Sequence, residues 1–277
     1  MIQETQQLID AITSLKPESS FTKDYFFPIA SAFFSSMLGA GIAYGTLKHQ
    51  EYLQIEKDKL NIANKWMLNI SDALSALIAI KANYIGKLKD DPIQRIACIK
   101  QAINIYKYFE NDIHELSFII PSSIEEQEQQ NNKWSRIAKI QSMTANYNLA
   151  LEVWKKRDEL YEEFGNLLMA KHDNNAFAEI TLKSAIEDTN QTIVAKLIEV
   201  NESAITMTDE LIIQFLDFSK NFPAYAETKI DTKKLKRYGR IIRHQDQDIY
   251  TIAESLKERS PKVNLTEMNE LLKKTQN

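Results

Sequence analysis

The residues able to do chemistry are few and widely spaced. His114-Glu115-Leu116-Ser117-Phe118 begins as a zinc-protease HExxH helix begins, but Phe118 stands where the second histidine ligand belongs. Two imidazoles one helical turn apart are therefore not available to hold the metal. Glu110 with His114, and His244 with Asp248, lie four residues apart and would share a helical face. Ordinary i,i+4 ion pairing accounts for both, and a carboxylate-bridged di-iron centre would need two Glu-x-x-His motifs that the chain lacks. Cys98 lies among Ile96, Ala97 and Ile99 and reads as a small buried hydrophobe with no basic group to activate it. One cysteine cannot form an internal disulfide, and no cysteine-histidine cluster offers a zinc site.

Phosphate-binding and nucleophile loops need glycine at fixed offsets, and the chain has only six glycines. None falls into GxxxxGK[ST], GxGxxG or GxSxG. The expectation is a protein without catalytic residues, metal or cofactor. An enzyme would have to use an unrecognised helical site, whose mark would be ionisable groups clustered in a pocket.

The strongest local signal is electrostatic. Lys229, Lys233, Lys234, Lys236, Arg237, Arg240 and Arg243 put seven positive charges into 15 residues against Asp231 alone. The whole chain carries −4, so the remainder stands at −10. At helical spacing Lys229, Lys233, Lys236, Arg240 and Arg243 share a face, with Leu235, Tyr238, Ile241 and Ile242 largely on another. That pattern predicts a basic amphipathic helix contacting anionic lipid or a protein partner, with Arg237 beside its charged face. Internal pairing with Asp158, Glu159, Glu162 and Glu163 is the bland alternative. Nucleic acid is disfavoured, since the global charge is acidic and no RNA- or DNA-reading motif accompanies the patch.

Something must position these residues, and the composition says it is helix. Six Gly and six Pro among 277 residues, with abundant Leu, Ile, Ala, Lys, Glu and Gln, favour an all-α fold. Between Asp24 and Lys48 lie 23 residues without a charge, Tyr25 to Leu47. A helix of that length covers the roughly 30 Å hydrocarbon core, and aromatic residues at both ends suit the interface. The flank before it is acidic rather than short and basic, which favours a retained anchor over a cleaved signal. Lys48, Lys57, Lys59 and Lys65 outnumber Lys16 and Lys23, which puts the large C-terminal part in the cytoplasm. Gly41 and Gly45 form a GxxxG pair, and Ser31, Ser35, Gly39 and Ala43 recur at fours. Such a small-residue face lets a second membrane helix approach, so self-association is expected.

Beyond the span the apolar residues keep a seven-residue period. Leu53, Leu60, Met67 and Leu74 form one seam with Ala63, Ile70, Leu77 and Tyr84, on a helix expected to reach about Leu88. Asp91-Pro92 starts another helix, expected to run to Phe118. Trp134, Ile140, Tyr147, Trp154, Tyr161 and Leu168 mark a third, followed by a turn at His172 to Asn175. Ile186, Ile193, Val200 and Met207 with Leu197, Ala204, Leu211 and Phe218 mark a fourth, with Asn190 on its seam and Pro223 as its stop. Further helices are expected over Thr232 to Arg259 and Leu265 to Lys274.

The resulting architecture is a polar tail (1–24), a single transmembrane helix (25–47), an elongated antiparallel, coiled-coil-like helical bundle (48–222) and a C-terminal helical appendage with the basic helix (223–277). The function expected of it is a membrane-anchored scaffold or interaction protein that associates with itself and recruits or senses another protein. The alternative is a membrane-damaging effector whose Gly/Ser-rich segment oligomerises into a pore.

Overall fold

A computed structural model describes residues 2–14, 25–99, 101, 107–110, 112–123, 125, 132–171, 181–246 and 248–266, and every regular element among these is helical. Two compact units result, Met1–Ile55 and Glu56–Asn277.

In the first unit, α1 spans Ile2–Ser14 where the sequence reading placed a polar tail. Its residues are mostly Gln, Glu, Leu, Ile and Ala, with no glycine or proline to break the turn. Helix α2 spans Phe27–Ala82 and contributes residues to both units. Pro28 is tolerated because the first turn has no intrahelical partner for its missing N–H.

The second unit is built on α2, α4 (Ile137–Lys171) and α6 (Gln191–Glu227), with the short helices α3 (Pro92–Cys98) and α5 (Leu182–Asp188) between them and α7 (Asp248–Ser255) after α6. Leu60, Ala63, Met67, Ile70, Leu74, Leu77 and Tyr84 are all buried, as their sevenfold spacing predicts. So are Trp134, Ile140, Tyr147, Trp154 and Leu168. Contacts between α4 and α6 run in opposite senses along the two helices. Trp134 packs edge-on against Phe218 before α4 begins, Tyr147 meets Phe215, the Trp154 indole donates to Thr208 Oγ1, and Arg157 reaches Asn201. A smaller apolar cluster joins Ile93 and Ile96 to Leu160, Phe164, Leu182 and Leu197.

Several boundaries differ from the sequence reading, each for a local reason. Helix α2 stops at Ala82 rather than near Leu88, because Gly86 takes φ +71° and turns the chain. Helix α3 starts where expected, with the Asp91 carboxylate accepting from Gln94 N at 2.8 Å, but it ends at Cys98. The buried Arg157 guanidinium donates to the carbonyls of Ile96 and Ile99 at 2.8 and 2.9 Å, groups that a longer helix would have paired internally. Residues 113–119 form a separate 3-10 helix, Ile113–Ile119, capped by Asp112. Asn190 is not a seam residue but the N-cap of α6, accepting from Thr192 N at 2.7 Å.

Pro223 does not stop α6, which continues to Glu227. Phe222, Tyr225 and Ala226 are buried beyond or beside it, and two large aromatic side chains at about 1.5–3 kcal/mol each offset a proline cost of about 3 kcal/mol. The described residues beyond Pro223, which end at 266, contribute to the main core. Ile230, Leu235, Ile241, Tyr250 and Ala253 belong to the same core as Trp66, Leu74 and Phe215. The turn at His172 to Asn175, Lys16, Lys23 and most of the helix expected over Leu265 to Lys274 lie outside the described residues.

Candidate functional site

Three sets of residues are candidates, and the first is the apolar run. Phe27, Ile29, Phe33, Phe34, Met37, Leu38, Ile42 and Leu47 each stand more than half exposed, so none of this surface enters a core. By length and composition this part of α2 is one candidate membrane span. Ser31, Ser35, Gly39, Gly41, Ala43 and Gly45 are exposed on the same helix. A methyl group built on Gly39, Gly41 or Gly45 would meet nothing within 4 Å, so no neighbour in the chain requires glycine at any of them.

The second set is the basic segment, and it is not the amphipathic helix that its spacing predicts. Residues 228–243 form turns and irregular chain, with Gly239 at φ +125°. Lysines and arginines three or four apart mimic a helical face, yet the apolar residues between them decide the path. Ile230, Leu235 and Ile241 are drawn into the core at separate points, which no single helical face could allow. Lys233, Lys236, Arg237, Arg240 and Arg243 are left exposed, and Lys229 is half-buried.

Backbone contacts fasten this strap to the beginning of the second unit. Buried Glu56 accepts from Asp231 N at 2.6 Å and from Lys59 Nζ at 2.6 Å. The Asn64 carboxamide donates to Arg240 O at 3.2 Å and accepts from Ile242 N at 2.8 Å, as an extra peptide group would. Lys57 Nζ lies 3.9 Å from the centre of the Tyr238 ring. Of the acidic residues offered as alternative partners for the segment, Asp158 pairs with Arg157 and Glu159 with Lys156. Within the strap's own neighbourhood, Arg243 pairs with Glu227 at 2.6 Å and Lys234 with Asp231 at 3.4 Å.

The third set was not singled out by sequence reasoning. Lys81, Arg95 and Arg157 are each no more than 1% exposed; Lys81 and Arg95 hold carbonyls outside the helices, and Arg157 holds those at the C-terminal end of α3. Lys81 Nζ donates to Asp209 Oδ1 and to Glu258 O, while the other carboxylate oxygen of Asp209 accepts from Ser260 N. Arg95 donates to Glu202, Lys89 O and Pro261 O. Burial pushes the Glu202 carboxyl up against the opposing pull of Arg95. These networks read as structure because every charged head has a carboxylate or carbonyl facing it. The available signal was a lysine at position 81 and an aspartate at 209, each inside an otherwise apolar seam.

Among the described residues no three His, Cys, Asp or Glu side chains converge as metal ligands would. His244 does not pair with Asp248; it stacks on Tyr250 at 4.6 Å with Glu254 at 3.8 Å. Burial, with a smaller contribution from Lys220, holds its imidazole below the ordinary histidine range, and Glu254 opposes this. Burial pushes Tyr147 up to about 12, with Asp72 adding to the rise, and Tyr84 is raised further by burial and Asp209. Neither phenol is prepared to lose a proton near neutrality. Compared with known proteins, the chain matches no family model, no curated protein and no solved structure.

Proposed function

We propose that the chain is a single-pass membrane protein, anchored through Tyr25 to Leu47, whose helical bundle lies in the cytoplasm and serves as a scaffold or sensor for another protein. One observation supports this above all. Nine large apolar side chains of the run stand exposed, Phe26 among them, and leaving them in water would forfeit on the order of 10–30 kcal/mol that a lipid environment recovers. The exposed face of Ser31, Ser35, Gly39, Gly41, Ala43 and Gly45 is consistent with a second copy packing against the span.

The test is extraction and protease protection of the full chain in native membranes, with crosslinking before solubilisation. Resistance to alkaline extraction, cleavage of the body only from the cytoplasmic side and a crosslinked homo-oligomer are the expected results. Release of the chain at alkaline pH would refute the anchor. Ion conductance or depolarisation on expression would instead favour a pore made by the same segment.

A further inference from the structure

The strap of residues 229–243 presents its charge at a particular place in the chain's connectivity. The side chains that fasten it, Glu56, Lys57, Lys59 and Asn64, are the first residues of the second unit. Glu56 follows Leu47, the end of the uncharged run, by nine residues. Nine residues reach at most about 32 Å however they fold, so a short covalent tether joins the residue that fastens the strap to the end of the apolar run. A chain carrying −10 elsewhere gathers a local excess of +6 beside that connection.

Given the anchor proposed above, on which this inference rests, we infer that the strap is a binding surface for anionic phospholipid headgroups. Leu235 and Ile241 hold the loop to the core from beneath, so Lys233, Lys236 and Arg237 are displayed without having to fold on arrival. Tyr238, 58% exposed beside them, is an aromatic residue with a polar tip, the type that settles at the headgroup level. Each basic side chain near an anionic bilayer strengthens association about fivefold. The tether makes the bilayer an intramolecular partner at high effective concentration, an advantage that a diffusing nucleic acid lacks against a net acidic chain.

Amine-reactive footprinting of the full-length protein, mixed with or reconstituted into vesicles of neutral phosphatidylcholine or of phosphatidylcholine with about a third phosphatidylserine, tests this. Modification of Lys233 and Lys236 is expected to slow at least about threefold in the anionic vesicles and to recover in 1 M salt, where the screening length falls to about 3 Å. Lys233→Gln with Arg237→Gln, which leaves Leu235 and Ile241 in place, should remove most of the protection of Lys236 at an unchanged melting temperature. Equal modification rates in both vesicle types overturn the inference. So does protection by an RNA or DNA duplex when anionic vesicles give none. Alkaline extraction of the same samples reads the anchor separately: a chain that is extractable yet protected keeps the strap and loses the anchor. A chain retained but unprotected does the reverse.

Discussion

Lys81 and Asp209, 128 positions apart in the chain, meet at 2.7 Å with both side chains almost wholly out of solvent. The pair also organises backbone, because Lys81 donates onward to Glu258 O and Asp209 accepts from Ser260 N. A buried pair of this kind is costly to break from one side, since the surviving charge stays buried without its partner.

Replacing Lys81→Met alone should therefore lower stability by about 3–5 kcal/mol, read as a shift in the urea midpoint. Adding Asp209→Leu should recover part of that loss, because no uncompensated charge then remains although Glu258 O and Ser260 N lose these partners. A single variant as stable as the parent would show that the pair does not hold the core.

Arg157→Leu removes the donor to Ile96 O and Ile99 O while keeping an apolar stem in place. Ile96 O still accepts from Ile99 N at 3.2 Å, so the main loss is the charged donor to Ile99 O, and a cost of about 1–3 kcal/mol is expected. Hydrogen exchange should quicken first around the end of α3, and uniform exchange across the second unit would contradict this account.

The stability of the body should fall as pH drops below about 6.5, the ordinary histidine value from which burial depresses His244. The unfolded chain then binds a proton more readily than the folded one, so stability is fully present above the unfolded value and declines toward the folded value. His244→Phe keeps a ring against Tyr250 and should flatten the slope in denaturation midpoints between pH 7.5 and 5.5. Glu254, lowered chiefly by its hydrogen bond from Lys257, adds a separate loss only below its ordinary value of 4.5.

Gly41→Leu with Gly45→Leu should abolish crosslinked oligomers in membranes without releasing the chain at alkaline pH. The space beside both glycines is open within the chain, so the substitutions act on a partner helix rather than on this fold. Persistence of the oligomer would move the contact elsewhere.

Asn190→Ala should cost about 1 kcal/mol through loss of the α6 cap, measurable by thermal unfolding.

The long helices were legible because burial repeats: Leu60, Met67 and Leu74 face the core at each second turn, and no local competitor interrupts them. The Asp91-Pro92 start was legible for a different reason, since cap and proline are adjacent in the sequence. The strap was misread because lysines three and four apart say where charge falls but not where Leu235 and Ile241 must go. Arg157 was hidden in a run of Lys155, Lys156 and Asp158, where only the partner backbone at Ile96 and Ile99 distinguishes it from its exposed neighbours. Pro223 carried a local rule that the burial of Phe222 and Tyr225 outweighed.

The grip of Lys81 on Glu258 O also sets an order of events during synthesis. The two residues are separated by 177 positions, and at about 5–20 residues per second the ribosome needs roughly 9–35 s to travel from one to the other. For the first 128 of those positions the ammonium of a nascent chain has neither native acceptor, and Glu258 O is the later of the two to be made. The packing around Lys81 is thus completed only after the apolar run that precedes it, and nearly all of the second unit, has been synthesised.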